Sequence, residues 1–298
     1  MRPARSSIQR ALPIALLAAP LASSAAAQVK EDWRQPTFAN RLVLDSQDNI
    51  CVDGFGPGGN FIAEKYAPDG TLLWSTTFGH PTINESVNWV AVDSEDAVIL
   101  TGHMAGGTGG LLTVKFSAVG DLLWSDIQNV NSGEAFRVEV DAADNVYVLG
   151  ATFDFHDNWD LYLVKYAPDG SVVWTRQKSY AAGTIDLARA LSVSPDGRVA
   201  ITGQLGSNDF VTAVYDTDGN EVFTSAYATG KGGPEDVLLA PDDTVYVSGM
   251  NNDNVGVVVR YAADGTELWD TAIAEPQIWW ARINRLALDT AGNVVAAG

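Results

Sequence analysis

The chain has 298 residues, 46% of them hydrophobic, and sets 18 basic against 37 acidic side chains for a net charge of −19. That charge disfavours nucleic acid and anionic membrane surfaces as partners. The single cysteine, Cys51, excludes an internal disulfide, and its apolar setting predicts a small buried hydrophobe.

Residues 1–27 read as an export signal: Arg2, Arg5 and Arg10 open it, Ala11 to Ala22 form an apolar stretch, and Ala25-Ala26-Ala27 supply a cleavage site. The apolar stretch is too short for a membrane-spanning helix, and no membrane insertion is expected. There is no twin arginine, and no cysteine follows the cleavage site to carry a lipid anchor. A mature protein starting near Gln28 keeps 15 basic and 37 acidic residues, a net −22. It is expected to be secreted or periplasmic.

Residues 29–38 resemble Leu72–Phe78 and are predicted to form an orphan outer strand. From there a unit of about 48 residues repeats head to tail. One phrase of the unit, best seen at Asp141–Gly150, places a carboxylate or small residue nine positions before a glycine. The pairs are Asp45/Gly54, Asp93/Gly102, Asp141/Gly150, Ser194/Gly203, Ala240/Gly249 and Asp289/Gly298. Apolar runs flank a polar turn, which predicts a β-hairpin of strands a and b. The other phrase places a turn glycine four positions before an aromatic, at Gly70/Trp74, Gly120/Trp124, Gly170/Trp174, Gly219/Phe223 and Gly265/Trp269. Asp-Gly accepts the positive φ of a tight hairpin, giving strands c and d.

The remaining spacings vary. The b–c distances are 16, 18, 20, 16 and 16 residues, and the d–a distances are 19, 17, 20, 17 and 20. In a four-stranded meander the two constant turns share one face and the two variable loops share the other. The expected fold is therefore all-β, a β-propeller of four-stranded antiparallel blades, about six in number with the last incomplete. The expected blades lie near 39–78, 86–128, 134–178, 187–227, 234–273 and, in part, 282–298, in one domain over 28–298. The recurring Trp and Tyr are expected to pack between blades. A strand at 29–38 completing the last blade would remove an exposed edge. Its third strand is absent, so either the chain is a piece of a longer protein or that blade is incomplete. The fragment reading is preferred, with six or seven blades in the whole.

Asp141–Gly150 together with Asp160–Trp174 resembles the bacterial secreted β-propeller repeat, often labelled SBBP. The resemblance covers residues 29–298 and is weaker in the fourth copy, at Val214 and Phe223, and in the fifth, at Ala240-Pro241. It implies an exported propeller and carries no catalytic motif.

Three groups of residues are candidates for chemistry. Four positions before each hairpin mark stand Arg41, Trp89, Arg137, Ala190, Asp236 and Arg285. One position earlier stand Asn40, Asn88, Phe136, Arg189, Glu235 and Asn284. Four arginines at one ring of an acidic protein would grip a carboxylate or phosphate by paired hydrogen bonds. The competing reading pairs them with Glu134, Glu139, Glu235 and Asp236 to knit the blades. The second group is aromatic and histidine side chains of the variable loops: Phe55, His103, Phe153, Phe155, His156, Trp159, Trp279 and Trp280. They suit sugar faces, or else cap the blade cores. The third is Asp216–Glu221, which has the start of a calcium loop but sits where every blade has a turn, so it reads as a turn. Zinc has no ligand spacing here.

There is no Gly-x-Ser-x-Gly, Walker or His-Glu-x-x-His motif, and no metal or cofactor is expected. The leading expectation is a non-enzymatic binding module, monomeric or part of a longer chain, that takes a polysaccharide or protein on its variable face. Arg137, Arg189 and Arg285 would hold an anionic group there, with Trp89 and Trp159 stacking. The rival is a lyase or hydrolase of an anionic polysaccharide with His103 or His156 as base.

Overall fold

The computed structural model describes residues 39–56, 59–79, 85–104, 109–128, 133–153, 159–178, 187–205, 209–227, 232–251, 253–273 and 281–298. The expected signal segment and the expected strand at 29–38 lie outside these.

The described chain is all β. The first sheet holds β1 (Ala39–Leu44), β2 (Ile50–Phe55), β3 (Phe61–Tyr66) and β4 (Leu72–Phe78). The second holds β5 (Glu85–Val92), β6 (Val98–Met104), β7 (Gly110–Phe116) and β8 (Leu122–Gln128). β9 (Glu134–Val140), β10 (Val146–Phe153), β11 (Trp159–Tyr166) and β12 (Val172–Lys178) form the third. The fourth is β13 (Leu187–Val193), β14 (Val199–Leu205), β15 (Asp209–Tyr215) and β16 (Glu221–Tyr227). β17 (Gly233–Leu239), β18 (Val245–Met250), β19 (Gly256–Tyr261) and β20 (Glu267–Ile273) make the fifth, and β21 (Arg285–Leu288) pairs with β22 (Val294–Ala297) in a two-stranded sixth. Each full sheet is an antiparallel meander in chain order. This is a β-propeller of four-stranded blades, the last of which has two strands among the described residues.

The packing follows from which strands are apolar. β7 is buried along its whole length, and β11 along all but its first residue. The outer strand β4 alternates, with Leu72, Leu73, Ser75 and Thr77 exposed. Five apolar clusters each span two consecutive blades; one joins Cys51, Phe61 and Ala63 to Val98, Leu112 and Phe116. The core therefore sits between sheets. Burial pushes the Cys51 thiol up to about 12, leaving it an inert apolar side chain.

The recurring phrases are the joints. Trp74, Trp124 and Trp174 each donate their indole N–H to the c–d turn of the next blade, at the carbonyls of Ala118 (2.9 Å), Pro168 (3.0 Å) and Thr217 (3.2 Å). The turn glycines lie on these rings: a Cβ on Gly120, at φ +91°, would come within 2.9 Å of Trp74. A leading Asp closes the a–b turn in four copies, at Asp45, Asp93, Asp141 and Asp289. Asp45 accepts the amides of Gln47 and Asn49, both at 2.9 Å, and pairs with Lys65 Nζ at 2.8 Å. Asp93 and Lys115 repeat the buried pair at 2.7 Å. One cleft on this face is lined by Asp45, Asn49 and Lys65 together with Trp74, Ala118 and Val119. The a–b and c–d turns therefore share a surface, as the constant spacings predict.

Candidate functional site

The first strand of each four-stranded blade carries a β-bulge, and the bulge positions the site. In β5, Val87 pairs with Gly102 and Trp89 with Thr101, so Asn88 is the extra residue. Phe136 is extra in β9, Arg189 in β13 and Glu235 in β17. A bulge bends its strand and re-aims the next side chain. The re-aimed residues are Trp89, Arg137, Ala190 and Asp236. The bulge also brings a carbonyl against the glycine of the second strand. A Cβ on Gly203 would lie 2.6 Å from the Leu187 oxygen, and Gly102, Gly150 and Gly249 meet the same obstacle. The invariant glycine and the aimed side chain are two parts of one device.

These side chains converge. The guanidinium carbon of Arg137 lies 4.0 Å from the centre of the Trp89 ring, that of Arg41 lies 4.6 Å away, and that of Arg285 lies 5.9 Å away. Blades one, three and six thus meet on an indole from blade two, which places the first strands around one axis. Each contact is a cation–π interaction. The indole acts as the common platform of the three cations.

The expected acidic partners are engaged elsewhere. Glu134 accepts the Asn88 side-chain amide at 2.8 Å. Glu139 accepts the Val193 amide at 2.7 Å, and Asp236 accepts the Leu286 amide at 2.8 Å. Glu235 pairs with Arg282 at 2.9 Å. Among the described residues, Arg41, Arg137 and Arg285 make no ion pair; the hydrogen bonds of Arg137 and Arg285 run to the carbonyls of Phe136 and Asn284. The acids do knit the blades, Glu139 and Asp236 through backbone amides, Glu134 through the Asn88 side chain and Glu235 through Arg282.

Electrostatics record the crowding. Burial, then repulsion from Arg285 and Arg41, brings Arg137 down to about 10, against the opposing pull of Asp236 and Glu235. It stays charged at neutrality. Burial raises the Asp236 carboxyl, with the Leu286 amide and the Arg285 and Arg137 cations opposing. Burial also raises Glu139 to about 7, with Asp236 adding to the effect and the Val193 amide and Arg137 opposing.

The other candidates stand apart. Asn88 bridges two blades, donating also to the Ala135 carbonyl at 2.8 Å. Arg189 is exposed on its bulge. His103 lies on β6 between Ser86 and Leu111, one strand out from Trp89. Trp159 opens β11, two strands from the axis. His156, Phe155, Trp279 and Trp280 lie outside the described residues, as does the Phe153 side chain. Asp216 accepts the amides of Asp218 and Asn220 in an ordinary turn. No cluster of three or more metal-ligating side chains occurs among the described residues. No helix there is long and apolar enough to cross a membrane.

Glu139 was not singled out as a site residue by its motif. The signal was present: two positions after each aimed residue stand Val43, Ala91, Glu139, Ser192, Leu238 and Ala287, and Glu139 alone is ionisable.

No known sequence family matches the chain. No curated protein matches it either. Solved structures do. A eukaryotic initiation factor is similar at a TM-score of 0.52 and 10% identity, over 79% of this chain and 55% of that one. The chain thus spans little more than half of that protein's length. The periplasmic gluconolactonase of Pseudomonas aeruginosa is similar at a TM-score of 0.52 and 15% identity, over 78% of this chain and 69% of that one. The calcium-binding protein regucalcin from Agrobacterium tumefaciens gives a TM-score of 0.43 at 12% identity, over 78% of this chain and 74% of that one. At such identities the likeness concerns the fold alone.

Proposed function

We propose that this protein is an exported propeller binding module that captures an anionic group at its axis. The observation that carries this reading is the convergence of Arg41, Arg137 and Arg285 on Trp89 with no carboxylate in ion-pair range among the described residues. Guanidiniums held beside one another repel, and an oxyanion between them relieves that repulsion while accepting paired N–H donors. In a chain of net charge −19, such a spot selects for a ligand rather than for general stickiness. A uronate unit of a polysaccharide, or a carboxylate of a protein partner, fits this chemistry. Trp89 serves the cations, so its ring is less free to stack on a sugar than the sequence led us to expect. Export rests on the leader-like first 27 residues and on the resemblance to secreted propeller repeats.

Titration calorimetry with an oligogalacturonate tests the reading. The Arg137→Ala/Arg285→Ala double variant is expected to weaken binding at least about tenfold, the loss of two charge-assisted contacts. Equal binding by the variant and the parent removes the axial site.

One observation keeps a second reading, a lyase or hydrolase of an anionic polysaccharide. Glu139, held near neutrality beside Arg137, has the acidity a general base needs. Release of unsaturated sugar from polyuronate, followed by ultraviolet absorbance and lost in Glu139→Gln, would move the assignment to that class.

A further inference from the structure

The axial arginines have a neighbour that the proposed binding function leaves unused. Glu139 lies two positions along β9 from Arg137, on the same side of the strand, and its carboxylate accepts the Val193 amide of the next blade at 2.7 Å. Asp236, on β17 of the fifth blade, likewise accepts the Leu286 amide of the sixth at 2.8 Å. Each carboxyl bridges two blades and interacts electrostatically with Arg137. The charged groups that bear on Glu139 are Arg137 on its own strand and Asp236 on β17. From β13 it meets a backbone amide. β10 presents Tyr147, whose hydroxyl is turned away to Asp141 at 3.0 Å. Arg41 on β1 and Arg285 on β21 bear on Arg137.

We propose that anion capture at Arg41, Arg137 and Arg285 is coupled to proton binding at Glu139, so that the ligand enters with a proton and is released as that carboxyl ionises. The proposal rests on the axial anion site and adds its regulation. The physical basis is geometric. Ionised Glu139 places a negative charge on the same side of β9 as Arg137, two residues along, from where it repels an oxyanion arriving at the arginines. Protonated Glu139 does not. Its oxygen can still accept the Val193 amide in either state, so the proton can come and go without breaking the blade joint. Burial raises the Glu139 pKa to about 7, which puts the change within the range an extracytoplasmic protein meets. By linkage, a ligand that binds the protonated form more tightly must draw a proton in as it binds.

The test uses the intact protein and inorganic sulfate, which does not itself titrate between pH 5.5 and 8. Calorimetry at constant ionic strength, in two buffers of different ionisation enthalpy, reads affinity and proton uptake together. Sulfate affinity is expected to fall about fivefold from pH 5.5 to 8, the part of a tenfold coupling that this range spans. Near pH 7 about 0.4 proton should enter per sulfate bound, the uptake that follows from a tenfold coupling. Glu139→Gln should bind at all these pH values with the parent's low-pH affinity and take up no proton. The uptake measurement on the parent needs no variant, so a folding defect in Glu139→Gln leaves the test intact. Sulfate binding that is independent of pH, with no proton uptake, overturns the coupling and leaves the site standing. Binding lost equally at every pH in Arg137→Ala confirms the site separately. An absence of sulfate and oligogalacturonate binding at every pH overturns the site and the coupling with it.

Discussion

The Arg137 guanidinium lies 4.0 Å from the centre of the Trp89 ring, and the two residues come from different blades. Arg41 and Arg285 approach the same indole from two more blades. Removing the indole therefore loosens three cations at once. Trp89→Ala should cost about 3 kcal/mol of stability, from lost apolar burial and lost cation–π contact. Trp89→Phe should cost less and retain anion binding. Urea denaturation with a parallel sulfate titration checks both, and a Trp89→Ala protein of unchanged stability would refute the platform role.

The pH dependence of stability follows from two carboxyls of opposite sense. The Glu139 value of about 7 in the folded protein lies above the ordinary 4.5, so the folded state holds that proton more tightly. Its stabilisation is complete below pH 4.5, declines as the pH rises, and is gone above about 7, a span of about 3 kcal/mol. Asp45 lies at about 2 against an ordinary 3.8: burial alone would raise it, but Lys65, Asn49 and the amides of the turn outweigh burial. Its contribution, about 2 kcal/mol, is present above pH 4 and is lost as the pH falls towards 2. Denaturation midpoints should peak between pH 4 and 6. Glu139→Gln should flatten the decline between pH 5 and 7.5; an equal slope in parent and variant would count against the buried, protonated Glu139.

Lys65 and Asp45 are both nearly sealed from solvent and lie 2.8 Å apart. Truncating one strands the other's charge. Lys65→Met should cost about 3–5 kcal/mol, whereas Lys65→Met/Asp45→Leu should recover much of that. Thermal unfolding of the two variants distinguishes a buried ion pair from a solvated one, for which both changes would be nearly silent.

Gly203 faces the Leu187 carbonyl across the bulge, and a Cβ there would sit 2.6 Å from the oxygen. Gly203→Ala should cost more than about 2 kcal/mol, because backbone must move. Gly292 provides the contrast: it has φ +81° but open space around its Cβ position. Gly292→Ala should cost only about 1 kcal/mol, from backbone conformation alone. Urea unfolding that ranked the two substitutions the other way would contradict the bulge account.

Much of this architecture was legible because it is written five or six times. The nine-residue interval from Asp45 to Gly54 and its copies marks a turn and a close approach, and the Asp-Gly pairs mark a second turn. Both are local in sequence. The arginine ring was legible because equal offsets in equal blades land at equal depths. What escaped was the fate of the acids. Glu134 and Glu139 are close in sequence to Arg137, Asp236 stands at the same offset in its blade as Arg137 and Arg285 in theirs, and Coulombic intuition pairs them. In the folded chain each meets a donor from a neighbouring blade first: Asn88 of the preceding blade reaches Glu134, while Val193 and Leu286 of the following blades offer amides to Glu139 and Asp236. Which partner wins depends on bulge geometry, and a bulge is a one-residue offset between strands that no single strand displays.

The indole bonds of Trp74, Trp124 and Trp174 all run forward, from one blade to the turn of the next. Each wedge consequently has a giving flank and a receiving flank that differ. Joints of this kind are heterologous: repeated, they either shut into a circle or run on without end. Copy number is then a property of the angle at the joints and not of any one wedge. Lengthening such a gene by a further duplication alters every angle in the ring at once, and trimming it leaves one giving flank and one receiving flank open to each other.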